Sequence, residues 1–179
     1  MINKWNFQTP TEEELHKRDR LASQLGLSPV VCLLLVQRGL TTVEEVKKFF
    51  KPSLNDLHDP FLMPDMEKAV KRLNKALGNK EKILIYGDYD VDGTTAVSLV
   101  YKYLRPYSSA LDYYIPDRYD EGYGISYKGI NYARENGITL VISLDCGIKA
   151  IEKIEYAKQL GIDFIICDHH MPDDTLPDA

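Results

Sequence analysis

The stretch KILIYGDYDVDG (residues 82–93) joins an apolar run to a cluster of acids. Its first half has the length and the β-branched content of a buried strand. Its second half places Asp88, Asp90 and Asp92 at alternate positions, just where that strand ends. Carboxylates packed so closely repel one another, and their pKa values rise unless a cation compensates the charge. The stretch therefore predicts a strand that ends at a cation site.

Short apolar runs alternate with helical stretches throughout the chain after residue 80. The runs predict strands at 82–87, 111–116, 138–145 and 162–168, separated by helical stretches at 94–104, 126–136 and 149–160. This order predicts right-handed crossovers and a parallel sheet with helices on both faces. The predicted fold class is α/β, a doubly wound parallel sheet of four to five strands. Such sheets bind ligands beyond the carboxyl ends of the strands, where the strand order reverses.

Acids and histidines also follow two later strands of the predicted sheet. Asp145 ends the third strand within SLDCG, and Asp168, His169 and His170 end the fourth within CDHH. We expect all of these groups to meet the first strand's aspartates at one edge. Oxygen and imidazole ligands suit Mg²⁺ or Mn²⁺. Two such ions about 3.5–4 Å apart, bridged by one carboxylate, organise a hydroxide against a phosphoryl ester.

Each of these motifs has a simpler explanation when it is taken alone. Acidic loops bind calcium or stay solvated, and an isolated DHH triplet is ambiguous. Cys146 and Cys167 lie beside the acids, and we expect them to be buried packing residues without a chemical role. The combination of motifs favours a catalytic metal site. A catalytically silent module that holds a regulatory cation stays open as a second interpretation.

Three further residues near this edge are candidates for binding substrate phosphate. Gly93 and Thr94 begin the helix after the first strand, where free amides approach anions, although the same residues also serve as plain capping groups. Arg118 lies on the loop IPDRYDEGYGIS (115–126), and a guanidinium there can hold a phosphate. The alternative for Arg118 is a salt bridge to Asp120 or Glu121.

Residues 1–79 are predicted to form a helical amino-terminal segment, and residues 80–179 the α/β domain. In SPVVCLLLVQRG (28–39), Ser28 can cap a helix, Pro29 suits its first turn and Gly39 can terminate it. TTVEEVKKFF (41–50) repeats this logic with Thr41 or Thr42 as the N-cap. A third helix is predicted from Met66 to Leu77, after a connector at 51–65 that we expect to be extended.

Composition places the chain among soluble globular proteins. It has 179 residues, of which 44% are hydrophobic, and its apolar runs are too short to span a membrane. The amino terminus lacks the features of a secretory signal, so we expect a cytoplasmic protein. Three scattered cysteines argue against a disulfide framework. The net charge of −5 counts against nucleic acid as a partner unless metal ions reverse the charge of the acidic edge.

Four motifs follow one another along the chain: YGDYDVDGTTA, DRYDEGYG, SLDCG and DHHMPDDTLPDA. In this order they resemble the motifs of the DHH phosphoesterase superfamily. The helical leader is similar to that of the superfamily's single-strand-specific 5′→3′ exonucleases. This resemblance implies metal-dependent hydrolysis of single-stranded DNA into 5′-mononucleotides, with Mn²⁺ or Mg²⁺ as cofactor. It further implies a place in DNA repair and recombination, with a helicase and single-strand-binding protein as partners. A phosphoesterase acting on small nucleotides or pyrophosphate is the alternative within the superfamily.

The resemblance also implies which residues bind the metal ions. Asp90 and Asp92 would each bind one ion, Asp145 would bridge the pair, and His169 would complete the second ion's ligands. Many members carry a histidine where this chain has Tyr86, which implies either one ligand fewer for the first ion or looser binding of it.

The remaining roles implied by the resemblance concern the substrate and the support of the ligands. His170 would contact the scissile phosphate, and Asp168 would orient a histidine. Asp88 matches the motif either as a metal ligand or as a hydrogen-bonded support.

The chain is shorter than members of the superfamily. They carry a further aspartate ligand well after the DHH triplet, a second α/β domain and, in the exonucleases, a basic OB-fold that binds single strands. We therefore expect an amino-terminal fragment that is inactive by itself.

Overall fold

The computed structural model describes residues 9–179, and their contacts divide the chain into two units. One unit ends at Pro60 and the other covers Phe61–Ala179. The helical-segment prediction at 1–79 includes the first eight residues, which lie outside the described residues. The predicted domain boundary at 79/80 stays a prediction.

The amino-terminal unit contains three helices: α1 (Glu12–Leu25), α2 (Pro29–Gln37) and α3 (Val43–Phe50). Of the two predicted N-cap candidates for α3, Thr42 occupies the position and forms a capping box with Glu45. Ser28 precedes α2, with Pro29 in the first turn, but its side chain makes no capping hydrogen bond. The buried residues of these helices form one small core: Leu21, Cys32, Leu35, Val36 and Val46.

The connector after α3 contains two 3₁₀ helices, at Leu54–Asp56 and Pro60–Leu62, and is not extended throughout as predicted. The first one forms because Ser53 accepts a hydrogen bond from the Asn55 amide, while Asp56 accepts one from the Ser53 amide. Local side-chain bonds of this kind give the backbone an alternative to an extended path.

The second unit is a parallel sheet of four strands covered by helices, and the predicted fold class is confirmed. The strands are β1 (Ile83–Gly87), β2 (Leu111–Tyr114), β3 (Leu140–Leu144) and β4 (Asp163–Cys167). Each strand pairs in parallel with its neighbours in the order β2-β1-β3-β4. The helices are α4 (Met66–Gly78), α5 (Val91–Leu104), α6 (Tyr127–Glu135) and α7 (Ile151–Gln159).

Two cores cover the two faces of the sheet. Leu84 and Tyr86 of β1 pack with residues of α6 and α7, whereas Ile83 and Ile85 pack with residues of α4 and α5. All five residues of β1 are buried. Full burial of one aliphatic side chain stabilises the fold by about 1.5–3 kcal/mol. The apolar run of 82–87 is therefore the centre of the unit.

Arg72 attaches α4 to the amino-terminal end of the strands, at the edge of the sheet opposite Asp88 and Asp145. Its guanidinium donates to Glu81 at 2.7 Å and to Asp163 at 2.6 Å, at the start of β4. Hydrogen bonds from Arg72 and from the Thr139 hydroxyl lower the pKa of Glu81. By these contacts α4 belongs with the sheet.

The strand order reverses between β1 and β3, since β2 lies on one side of β1 and β3 on the other. Ligands of open α/β sheets bind beyond the carboxyl ends of the strands that flank such a reversal. Asp88 follows β1 and Asp145 follows β3. The topology therefore places both acids at the position where this fold class binds ligands.

Candidate metal centre

Asp145 and the two histidines form a compact group of possible metal ligands. One ligand atom each from Asp145, His169 and His170 lie within 4.8 Å of one another. His169 Nε2 is 3.0 Å from Asp145 Oδ1. The Asp145 backbone is left-handed, with φ +61°, and its amide donates to Cys167 O at 2.8 Å. That bond ties the end of β3 to the end of β4, which is why residues 24 positions apart meet.

Asp168 orients His170 from a nearly buried position. Its Oδ1 lies 2.7 Å from His170 Nδ1 and accepts from the His170 amide at 3.1 Å, while its Oδ2 accepts from Ile148 N at 3.0 Å. Burial alone would raise the pKa of Asp168, but these hydrogen bonds outweigh it and lower the pKa. The bond to Asp168 also raises the pKa of His170. Because Nδ1 of His170 is engaged by Asp168, Nε2 remains available to contact another group.

Asp88 is a buried carboxylate without enough partners. It is 0% exposed, its Oδ1 accepts from Gly124 N at 3.4 Å, and its Oδ2 has no hydrogen-bond partner among the described residues. Burial raises the pKa of Asp88, and the charges of Asp90 and Asp145 act in the same direction. A buried charge in this condition is costly unless a cation neutralises it. This orphaned oxygen is the clearest sign that the cluster is built for a metal ion.

Asp90 caps α5 and still contributes charge to the cluster. Its Oδ1 accepts from Gly93 N at 2.9 Å, and its charge raises the pKa values of Asp88 and His170. Asp92 lies in the first turn of α5 and is exposed, and no described contact joins it to the other acids. Of the predicted metal ligands, the structure thus joins Asp145 and His169 in one group, places Asp90 near enough for its charge to act on that group, and leaves Asp92 apart.

The predicted phosphate-binding groups at the start of α5 are already engaged locally. The Gly93 amide donates to Asp90, and the Thr94 hydroxyl donates to Asp90 O at 2.7 Å. Thr94 retains its acceptor capacity, whereas Gly93 has no donor left for an anion in this arrangement. The Gly93 contact is the helix cap that the alternative explanation predicted, whereas the Thr94 contact is a local hydrogen bond to the backbone.

Arg118 lies near the aspartates of the first strand. Its guanidinium carbon is 5.4 Å from the ring centroid of Tyr89, which stands between Asp88 and Asp90 in the sequence. The alternative salt bridge is absent from the described residues, since Asp120 pairs with Lys128 at 2.8 Å. A stacked guanidinium keeps its donors available for a phosphate.

Two tyrosines complete the site, and neither was predicted to do so. Tyr86 is buried; its hydroxyl donates to Gly124 O at 2.9 Å and accepts from Ser126 N at 3.0 Å. It therefore holds the loop that carries Tyr123, whose hydroxyl donates to Asp145 O at 3.2 Å and lies 3.3 Å from His170 Nε2. Burial raises the pKa of Tyr123 to about 12, and the nearby acids act in the same direction.

The two cysteines beside the acids differ in exposure. Cys146 is buried, and burial raises the pKa of its thiol to about 12, with the nearby carboxylates adding to the effect. Its thiol is protonated at neutral pH and packs in the core, as predicted. Cys167 is exposed, which corrects the prediction that both are buried. The cause is its place at the end of β4, an edge strand of the described sheet.

The donors of this cluster fit a hard or borderline divalent cation. They are carboxylate oxygens and imidazole nitrogens, with no ionised thiolate among them. The unsatisfied oxygen of Asp88 and the mutual repulsion of the acids are both relieved by positive charge.

We expect Asp88→Asn to stabilise the chain in the presence of a chelator. The change removes a buried charge that Asp90 and Asp145 repel, and we expect the melting temperature to rise by about 2–4 °C. In saturating Mn²⁺ the order should reverse, because only the parent gains the full stabilisation from bound metal. Thermal denaturation with and without Mn²⁺ measures both effects.

Asp65→Asn is the matched control, since it makes the same chemical change at an exposed acid to which no role in the site is assigned. It should stay within about 0.5 kcal/mol of the parent in chelator. If Asp88→Asn melts below the parent in chelator, the buried carboxylate is not under electrostatic strain.

Comparisons with known proteins agree with this geometry. A sequence model described as the DHH family, N-terminal domain, matches residues 82–179. The single-stranded-DNA-specific exonuclease RecJ of Bacillus subtilis is 41% identical over 176 residues, 98% of this chain. The protein of the same name from Escherichia coli is 35% identical over 155 residues, 86% of this chain. These matches cover 22% and 26% of the two relatives, so the chain spans about a quarter of their length.

Two solved structures resemble the chain. A crystal structure of exonuclease RecJ bound to manganese aligns with a TM-score of 0.59 at 30% identity, over 65% of this chain and 30% of that one. RecJ from Thermus thermophilus in complex with Mn²⁺ aligns with a TM-score of 0.63 at 24% identity, over 92% of this chain and 22% of that one. The second likeness supports the fold alone.

Proposed function

The chain belongs to the DHH family, and from that premise we propose that the protein hydrolyses phosphodiesters with divalent metal ions. The proposed activity is a single-strand-specific 5′→3′ exonuclease that releases 5′-mononucleotides from DNA. The observation that carries the proposal is the convergence of four aspartates and two histidines from the ends of three strands: Asp88, Asp90, Asp145, Asp168, His169 and His170.

The relatives support an exonuclease over other phosphoesterases. The curated proteins that match 86% to 98% of the chain, helical leader included, are single-stranded-DNA-specific exonucleases. Hydrolysis of small nucleotides or pyrophosphate remains the alternative, as does a silent metal-binding module. Both are outcomes of the experiment below.

We assign the metal ions to residues at the ends of the strands. Asp90, Asp92, Asp145 and His169 would hold two Mn²⁺ or Mg²⁺ ions. Bound ions supply an activated water and stabilise the leaving oxygen. Asp145 suits the bridging place because its side chain is only 10% exposed and lies against His169. Asp88 supports the ligands and neutralises charge from its buried position beside Asp90 and Asp145.

His170 and Arg118 are proposed to contact the substrate. Asp168 fixes the ring of His170 through Nδ1 and raises its pKa, which favours the doubly protonated ring whose Nε2 can donate to a phosphate oxygen. Tyr123 stands against the same ring and limits its rotation. Arg118 would hold a further phosphate, and Thr94 and Gly93 would approach the strand only if the cap by Asp90 opens.

The proposed partners and location follow from the same function. Single-stranded DNA is the substrate, and a helicase and single-strand-binding protein would supply and compete for it. We propose the cytoplasm as the location. Within residues 9–179, no helix has both the length and the apolar character needed to cross a bilayer.

The experiment is a digestion assay of the intact gene product with Mn²⁺. Single strands labelled at either end, duplexes of the same sequence, dinucleotides and pyrophosphate are compared. We expect mononucleotides to appear first from the 5′ end of single strands, with little digestion of duplexes. Rapid turnover of dinucleotides or pyrophosphate without strand digestion would replace the proposal with the first alternative. Tight Mn²⁺ binding without any hydrolysis would replace it with the second.

A further inference from the structure

A cavity of about 280 Å³ lies beside the metal centre. Three of its lining residues, Tyr123, Asp168 and His170, belong to the site described above. Others belong to the segment before α7 and to its first turn, and the proposed reaction does not use them. A ligand in the cavity would therefore lie next to the reacting phosphate.

The lining of the cavity is mostly apolar and includes two lysines. Gly124, Ile125 and Ile148 contribute apolar surface. Lys149 and Lys153 also line it, and no acid does so except Asp168. Both oxygens of Asp168 are already engaged by hydrogen bonds. The cavity thus combines apolar contact with positive charge, as a site for a sugar or base joined to a phosphate requires.

The two lysines are available to an anion in different degrees. Lys153 is partly buried and has no ion-pair partner among residues 9–179. Lys149 pairs with Asp173 at 3.1 Å, but both side chains are more than half exposed. Exposed pairs of this kind contribute little and exchange easily for a better anion. In addition, the residue before α7 is Ala150, whose side chain cannot cap the helix amides.

The size of the cavity limits the ligand. Pockets for small molecules span roughly 300–1,000 Å³, so 280 Å³ lies just below that range. A cavity of this size suits one nucleotide unit, whereas a longer piece of the strand would have to extend outside it.

We propose that this cavity is a nucleotide subsite in which Lys153 and Lys149 bind the phosphate of one nucleotide. The apolar surface of Gly124, Ile125 and Ile148 contacts its sugar or base. The nucleotide belongs either to the bound strand or to the released 5′-monophosphate, and the shared chemistry is a phosphate on a nucleoside. The inference rests on the proposed function, because it places this nucleotide beside the phosphodiester that is cleaved.

Nuclear magnetic resonance of the ¹⁵N-labelled chain in chelator tests the subsite without metal or activity. The probes are thymidine 5′-monophosphate, its methyl diester as a mimic of an internal nucleotide, and inorganic phosphate. We expect thymidine 5′-monophosphate to shift the amides of residues 147–153 saturably, and inorganic phosphate to bind there more weakly. If the diester binds with the same affinity as the monoester, the bound nucleotide is part of the strand. If the diester binds more weakly, the site binds the terminal or released monophosphate.

Lys153→Gln is expected to weaken monophosphate binding about fivefold or more, and Lys149→Gln by a smaller factor. Lys158→Gln is the matched control, because Lys158 also lies on α7, pairs with Asp178 and does not line the cavity. Native spectra show whether each variant is folded. The absence of saturable shifts at 147–153, or an equal effect of Lys158→Gln, overturns the subsite. Because no hydrolysis is measured, this result and the digestion assay can fail independently.

Discussion

Asp145→Asn is expected to abolish Mn²⁺ binding at the strand-end cluster and to lower hydrolysis by at least about 10²-fold. Even groups that only support metal ligands change affinity by 10–100-fold, and we assign Asp145 to both ions. Asparagine keeps the shape of the side chain and tolerates the left-handed backbone of this position, φ +61°. The variant should therefore fold normally while losing the charge. Titration calorimetry with Mn²⁺ and the digestion assay of the intact gene product measure the two losses.

Asp65→Asn provides a matched control for this variant. Asp65 also has a left-handed backbone, φ 58°, and is exposed at the start of α4. The same chemical change there should leave Mn²⁺ affinity and hydrolysis unaltered. Should Asp145→Asn keep the parent's affinity for Mn²⁺, the assignment of Asp145 as a ligand is wrong.

Gly93→Ala is expected to destabilise the chain by about 3 kcal/mol or more. A Cβ at this position would lie 2.4 Å from the backbone oxygen of Asp88 and 2.6 Å from its nitrogen. Real Cβ atoms do not approach backbone this closely, and backbone cannot move aside as a side-chain tip does. Either α5 must shift away from β1 or the Asp88 segment must be displaced. Overpacking of a core at this level costs a large part of a typical folding free energy of about 5–15 kcal/mol.

Urea denaturation followed by circular dichroism gives the free energy of unfolding for this comparison. Gly78→Ala is the control, because Gly78 is the last residue of α4 and a Cβ there meets nothing within 4 Å. That variant should equal the parent or gain up to about 1 kcal/mol. If Gly93→Ala unfolds within about 1 kcal/mol of the parent, the close approach of α5 to the Asp88 backbone is not present in solution.

The fold was predictable because its signals are local. The run KILIYG has the length and residue types of a buried strand, and the structure places a strand at Ile83–Gly87. Alternation of strands and helices then leaves little choice but a parallel sheet. That rule alone brings Asp88, Asp145 and Asp168 to one edge, since each follows a strand. The carboxyl-edge cluster could therefore be predicted before any contact was known.

The rest of the site depends on contacts that no local pattern encodes. Tyr86 holds the loop around Gly124, 38 positions away, and Tyr123 meets His170, 47 positions away. Both tyrosines look like ordinary apolar or loop residues in the sequence, and only the glycines flanking Tyr123 mark the loop as unusual. Asp92 illustrates the reverse case: the alternate spacing of the acids suggests one cluster, but the helix that begins at Val91 carries Asp92 into an exposed first turn. The period of side-chain direction changes within the motif from two residues, as in a strand, to 3.6 residues, as in a helix. Asp88, Asp90 and Asp92 therefore do not all point in one direction.

The central claim is that acids and imidazoles from three strand ends hold divalent cations together. Anomalous X-ray diffraction from crystals of the chain grown with Mn²⁺, measured on both sides of the manganese absorption edge, tests it most directly. We expect anomalous density about 2.0–2.3 Å from a carboxylate oxygen of Asp145 and from Nε2 of His169. Ordered manganese bound only elsewhere on the chain, or no anomalous density at saturating Mn²⁺, would contradict it.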